Sequence, residues 1–214
     1  LLAVGIYLVV RDHPPRDTDV PPRPPSAEGV FSGLRTVFSS GLFWRLAPLG
    51  FASYGTLITV QGLWGGPFLM HTYGMSKAAA GGILLAIPIG LACGAPFWGN
   101  WSDRLGRRKL PVLLVTGAML LMFSSLIPGL QLPRWGLALQ YWLLGFTGTC
   151  GTMLYAQVKE TFPLSIAGTA LTALNFFVIM GAAMLQHLMG IIMDNWQPTA
   201  SGALPLEAYQ WGFG

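Results

Sequence analysis

The sequence predicts an all-α integral membrane protein with five complete transmembrane helices and a partial helix at each end. Hydrophobic residues make up 53% of the 214 residues and charged residues only 9%, whereas soluble domains usually carry about a quarter charged residues. Five apolar segments are each long enough to cross a bilayer, which needs about 20 residues. None of them has an Asp, Glu or Arg in its interior. Each helix can therefore satisfy its own backbone hydrogen bonds in lipid at little side-chain cost.

The first 42 residues precede the complete spans. Residues 1–10 are apolar but too short to cross a membrane, so they are predicted to be the end of a helix that begins upstream. Residues 11–42 open with a proline-rich, charged stretch, which predicts a solvated linker. Apolar residues then recur at helical spacing between Val30 and Leu42. This pattern predicts a short amphipathic helix on the membrane surface, with an extension of the next span as the alternative.

Residues 43–214 are predicted to form one transmembrane unit. Ser76 is placed to cap the second span, and Pro88 and Pro96 are expected to bend it. The predicted elements are Trp44–Met70, Lys77–Trp98, Leu110–Leu130, Trp135–Val158 and Ala167–Met193, followed by Trp211–Gly214 as the start of a further helix.

The basic residues predict the orientation of the chain. Lys77 and Arg134 fall on one side of the predicted spans. The other side carries ten of the twelve basic residues: Arg11, Arg16, Arg23, Arg35, Arg45, Arg104, Arg107, Arg108, Lys109 and Lys159. Because basic residues favour cytoplasmic loops, this asymmetry predicts a plasma-membrane protein with the linker and the 99–109 loop in the cytoplasm. The net charge of +4 is then a topology signal, and nucleic acid is excluded as a partner.

The loop between the second and third predicted spans carries the most specific motif. Its sequence from Gly99 to Lys109 is GNWSDRLGRRK, with the order G-x-x-x-D-R-x-G-R-R. Gly106 is expected to take a positive φ between two helices. Asp103 can accept hydrogen bonds from a helix N-terminus or an arginine, and the cations can hold the loop against anionic lipid.

With this motif, the chain resembles the major facilitator superfamily over essentially its whole length. In that family the motif joins helices two and three and recurs between helices eight and nine. Here a linker precedes the motif, so the resemblance implies the second copy and a carboxy-terminal half. Residues 1–10 would end helix six, the five spans would be helices seven to eleven, and Trp211–Gly214 would begin helix twelve. Trp101 departs mildly from the family, which commonly has Leu there.

The resemblance also implies a cytoplasmic gate. Asp103 and Arg104 would belong to a charge relay that latches the gate, with its cross-half partner in the absent amino-terminal half. Glu160, at the end of the fourth span, is a candidate partner within this chain, although pairing with Lys159 or water is the alternative. The implied gating residues are Gly99, Asp103, Arg104, Gly106, Arg107, Arg108 and Glu160.

The resemblance places a substrate cavity between the two halves. Transporter sites lie near the midplane at weakened helices, and Gln61 and Trp64 stand beside a Gly–Gly–Pro cluster in the first span. Asn175 carries an amide that is costly to expose to lipid, and Tyr54 and Tyr155 could add hydroxyls. For all five cavity candidates the alternative is a role in helix packing alone.

A secondary transporter of a small solute, working by alternating access, is the function that the resemblance implies. An enzyme is not expected, because the sequence lacks a nucleophile–base set, a phosphate-binding loop and a metal cluster. No cofactor or metal is expected. The expected partners are a small-molecule solute, the lipid bilayer and the amino-terminal half of the same protein. A non-transporting sensor or accessory protein of this fold, or an inactive truncated fragment, are the alternatives.

Overall fold

The computed structural model describes residues 27–106, 109–127, 129–199 and 202–214, and within these ranges every regular element is a helix. Residues 1–26, Arg107 and Arg108, on which part of the predictions falls, lie outside the described residues. The helices are α1 (Ala27–Phe38), α2 (Phe43–Ile58), α3 (Gly65–Tyr73), α4 (Lys77–Leu84), α5 (Ala86–Leu105), α6 (Lys109–Ser124), α7 (Arg134–Thr147), α8 (Cys150–Thr161), α9 (Leu164–Asp194) and α10 (Leu206–Phe213), and a π-helical segment, Thr59–Trp64, joins α2 to α3.

Helix α1 is separate from the next helix. Residues 39–42 form a turn, so α1 does not continue into α2. Gly33 packs closely against Ile166 and Thr169 of α9, while Phe31 is 73% exposed. One face of α1 therefore rests on the bundle and another is open, as the amphipathic pattern predicts.

Two helical stretches within the described residues are long and apolar enough to cross a membrane. They are Lys77–Leu105, with 29 residues, and Leu164–Asp194, with 31 residues. Ser76 caps the first of them, because its side chain accepts a hydrogen bond from the Ala79 amide at 3.3 Å. The helical pattern of this stretch is interrupted by a turn at Leu85, which precedes Pro88 and Pro96, the two prolines that were expected to bend it.

The other three predicted spans are shorter or interrupted. The first predicted span changes from α-helical to π-helical geometry at Thr59. The third span is helical only from Lys109 to Ser124, and the helix of the fourth span is broken at Gly148 and Thr149. Glycine, threonine and proline concentrate at these interruptions, and such residues weaken a continuous α-helix. Five complete spans therefore stay a prediction.

Glycines let two pairs of helices approach to backbone contact. A Cβ on Gly145 of α7 would overlap the Ile87 carbonyl of α5, and one on Gly90 of α5 would overlap the Trp142 carbonyl of α7. Helices α2 and α9 meet in the same way, because a Cβ on Gly55 would lie 2.7 Å from the Gly181 carbonyl. Such contacts stabilise helix pairs in lipid, where no hydrophobic effect drives helices together.

Two buried clusters show which helix ends lie together. One contains Val37, Phe43, Val112, Val158 and Phe162, and the other contains Phe68, Leu126, Leu137, Met193 and Tyr209. The turns before α2, between α5 and α6 and between α8 and α9 therefore share one end of the bundle. The turns after α3, α6 and α9 share the other.

His71 fastens α10 to the end of α3. The Leu204 amide donates to His71 Nδ1 at 3.2 Å, and the Tyr209 hydroxyl lies 2.7 Å from the same nitrogen. Because the amide can only donate, Nδ1 carries no proton and the tyrosine hydroxyl must donate to it as well. His71 is therefore the acceptor for two separate elements.

We expect His71→Phe to lower the free energy of unfolding by about 2 kcal/mol, because it leaves two donors without an acceptor. His71→Asn is the matched control, since its amide oxygen can take the place of Nδ1. Thermal unfolding and hydrogen exchange over residues 202–214 would measure the effect. Equal losses in the two variants would show that the ring packs there and that its nitrogen contributes little.

Candidate functional site

A cleft of about 490 Å³ opens among four helices near the middle of the bundle. Its walls come from α2 and the π-helical segment, α5, α8 and α9. The lining residues are Gly50, Ser53, Tyr54, Leu57, Ile58, Gln61, Leu91, Ala95, Gly148, Thr149, Gly151, Thr152, Tyr155, Asn175 and Val178. They include neutral polar side chains on an apolar background and no charged side chain.

The π-helical segment forms one wall of this cleft. Two side chains donate to carbonyls at the start of this segment. Thr59 Oγ1 donates at 2.7 Å to the Gly55 carbonyl, which also accepts from the Thr59 amide, and Gln186 Nε2 of α9 donates to the Ile58 carbonyl at 3.1 Å. The Trp64 indole in turn lies 3.4 Å from the Gln186 carbonyl, to which it donates. Gln186 thus holds the segment through both its side chain and its backbone.

The break between α7 and α8 forms the facing wall. Thr147 Oγ1 donates to the Leu143 carbonyl at 2.9 Å, and Thr149 Oγ1 donates to the Phe146 carbonyl at 3.1 Å. The Thr147 bond is a back-bond within α7. The Phe146 carbonyl lies at the break and also accepts from the Trp98 indole, and such donors permit irregular backbone at membrane depth beside a cavity. The cleft therefore lies between two interrupted helices.

Four of the five cavity candidates meet in this cleft. The Tyr155 hydroxyl donates to Asn175 Oδ1 at 2.7 Å, which joins α8 to α9. Tyr54 of α2 and Gln61 of the π-helical segment also line the cleft. Among the described residues, no donor reaches Gln61 Oε1, although this oxygen is buried.

Trp64 is the fifth candidate, and it lies outside the cleft. Its ring packs near Gly190 and its N–H is bound to α9. In this structure the indole lies between the first span and α9. The π turn accounts for this, because the extra residue in the turn rotates Trp64 away from the face that carries Gln61.

Sequence reasoning missed several residues of this site. Ser53, Thr149 and Thr152 line the cleft, and Gln186 supports the wall that carries Gln61. The run of Gly and Thr from 145 to 152 was the available signal, because it predicts a weakened helix. No comparable signal marks Gln186, since its partner is a carbonyl 128 positions away.

The 99–109 loop lies at the bundle end that α8 also reaches. Helix α5 ends at Leu105, and Gly106 comes next with φ of 59°, as its place in the motif predicts. Asp103 and Arg104 are exposed on the last turn of α5, and Glu160 is exposed on the last turn of α8. Trp98 fixes this part of α5, because its indole donates to the Phe146 carbonyl at 3.0 Å.

The sequence of residues 1–200 matches the Major Facilitator Superfamily. The chain is 46% identical over 58 residues to a gallate transporter of Pseudomonas putida. It is 35% identical over 85 residues to the class D tetracycline resistance protein of Salmonella ordonez, and 30% identical over 103 residues to the multidrug resistance protein MdtG of Proteus mirabilis. These stretches cover 27%, 39% and 48% of this chain, but only 13%, 21% and 25% of the three relatives.

The family match, with which the helical fold and the neutral cleft agree, identifies an integral, multi-pass membrane protein of the transporter class. The chain belongs to the Major Facilitator Superfamily. This is a family of membrane transporters and not of enzymes, and its members act on small-molecule solutes.

Proposed function

We propose that this chain is the carboxy-terminal half of a secondary transporter that moves a small solute by alternating access. The cleft between two interrupted helices is the observation that carries the proposal. Transporters bind their solutes near the bilayer midplane at discontinuous helices, and Asn175 and Gln61 each lie near the middle of their stretch of helix. The names of the relatives indicate the solutes to test first, gallate and tetracycline, and a multidrug resistance protein among them adds drugs as a class.

The order in which the helices pair supports assignment to one half of a transporter. The first span packs on the fifth through Gly55 and Gly181, and the second packs on the fourth through Gly90 and Gly145. In a half built from two inverted three-helix units, a two-fold axis in the membrane plane relates the first span to the fourth and the second to the fifth. The pair of the first and fifth spans is then equivalent to the pair of the fourth and second. In this assignment residues 1–10 end helix six, residues 11–42 are the central linker, and residues 43–214 hold helices seven to eleven and the start of twelve.

We further propose that the loop acts as the cytoplasmic gate of a plasma-membrane carrier. Exposed basic residues at this end of the bundle, such as Arg35, Arg45 and Lys159, support a cytoplasmic, lipid-facing position. The motif residues Gly99, Asp103, Arg104, Gly106, Arg107 and Arg108 would latch the gate against the amino-terminal half. Glu160 would contribute from the end of α8.

A flux assay on the full-length protein tests the function. We expect cells that lack their own transporters for these solutes to show saturable transport of gallate or tetracycline when they express the protein. The transport should respond to an uncoupler and not depend directly on ATP. Binding of a solute without flux would favour the sensor alternative, and loss of both would favour an inactive product.

A further inference from the structure

We propose that Gln61 and Asn175 form a subsite for an uncharged, hydroxyl-bearing part of the solute. This inference rests on the proposed function, because it assigns the chemistry of the solute that the cleft admits. It depends on three features of the cleft: an unpaired buried acceptor, an amide fixed by a neighbouring hydroxyl, and the absence of charge in the lining.

The unpaired acceptor is Gln61 Oε1. It is buried, and among the described residues no donor lies within hydrogen-bonding distance. A buried acceptor without a donor destabilises the folded state, so its presence in a cleft indicates a donor that arrives with a ligand. A hydroxyl or N–H group on the solute would supply that donor.

The fixed amide belongs to Asn175. The Tyr155 hydroxyl donates to its Oδ1 at 2.7 Å, so the N–H₂ group is what Asn175 offers to other partners. Its side chain is exposed, which keeps these donors accessible from the cleft. The two amides therefore present an acceptor on one wall and donors on another, and a hydroxyl group can satisfy either of them.

The rest of the lining selects against charge. Leu57, Ile58, Leu91 and Val178 are apolar, and the remaining polar groups are hydroxyls. A charged group placed against this wall would lose its hydration without gaining a counter-ion. An apolar, hydroxyl-bearing part of the solute fits both the neutral surface and the two amides, and any charged group of the solute would lie away from this wall.

The first test measures stability without any ligand in the purified full-length protein. We expect Gln61→Met to raise the melting temperature by about 2–4 °C, because it removes an unpaired polar group while keeping the length of the side chain. Gln140→Met is the matched control. Gln140 is also buried, but its Nε2 donates to Ser125 Oγ at 2.7 Å, so this variant should melt at a lower temperature. A fall or no change with Gln61→Met would overturn the proposal.

The second test measures binding to the unaltered protein in lipid nanodiscs by saturation-transfer NMR. The probes are catechol and its dimethyl ether, veratrole, which share a ring and two oxygens but differ in their hydroxyl donors. We expect catechol to bind at least about tenfold more tightly than veratrole, and Gln61→Met to remove most of this preference. Equal binding of the two probes, or binding of neither, would overturn the subsite.

The two tests separate the subsite from the proposed transport. A protein that moves no solute, but in which Gln61→Met is stabilising and catechol is preferred, would keep the subsite and lose the transporter function. A protein that transports a solute, but shows neither effect, would keep its function and lose the subsite.

Discussion

Gly145→Ala is expected to lower the free energy of unfolding by about 3 kcal/mol and the melting temperature by about 10 °C. The added methyl group would overlap the Ile87 carbonyl of α5, so α5 and α7 would have to separate along their closest contact. The obstacle is backbone and not a flexible side chain, and it cannot move aside without shifting the whole helix. Melting of the purified protein, followed by size-exclusion chromatography, would measure the effect.

Gly117→Ala provides the matched control for this prediction. Gly117 lies inside α6, and nothing lies within 4 Å of where its Cβ would stand. The same substitution should therefore be neutral or stabilise the protein by up to about 1 kcal/mol, because alanine favours a helix over glycine. If both variants melted alike, the close contact between α5 and α7 would not be important for stability.

Asp103→Asn is expected to reduce solute flux by about tenfold to a hundredfold while leaving the melting temperature nearly unchanged. The proposed latch uses the charge of this carboxylate, and a hydrogen bond to a charged group contributes about 1.5–3 kcal/mol. Asp103 is exposed at the end of α5, so its neutralisation should not disturb the packed core. Initial rates of transport by the full-length protein would measure the loss.

Asp194→Asn is the control for the gate. Asp194 is also an exposed carboxylate that ends a helix, but α9 ends at the opposite end of the bundle. Its neutralisation should leave the rate within about twofold, as for most exposed side chains away from a site. Equal rates for Asp103→Asn and the unaltered protein would refute the assignment of Asp103 to a latch.

Local patterns along the chain predicted much of the fold. Ser76 was expected to cap a helix and does so, because a cap depends on residues only three positions apart. Gly106 was expected to take a positive φ and does so, because that preference belongs to the residue itself. Family membership was likewise predicted from the loop motif and confirmed by comparison.

The interruptions of the helices were harder to predict from the sequence. The segment Thr59–Trp64 contains no residue that requires a π turn. Gln186 donates to the Ile58 carbonyl at the start of this segment, a contact between positions far apart in the chain. At the break between α7 and α8, the Phe146 carbonyl likewise accepts from Trp98, 48 positions away.

The sequence by itself determined the membrane class, the approximate helices and the loop motif, because hydrophobicity and backbone preferences act over a few residues. Only the tertiary structure decided which polar side chains meet. It joined Tyr155 to Asn175, placed Gln61 in the same cleft and turned Trp64 toward α9. One extra residue in a π turn rotates the later residues of the helix by about 100°, and hydrogen bonds to Gln186 of α9 hold that turn. The packing of the whole bundle therefore decides which residues of the first span face the cleft.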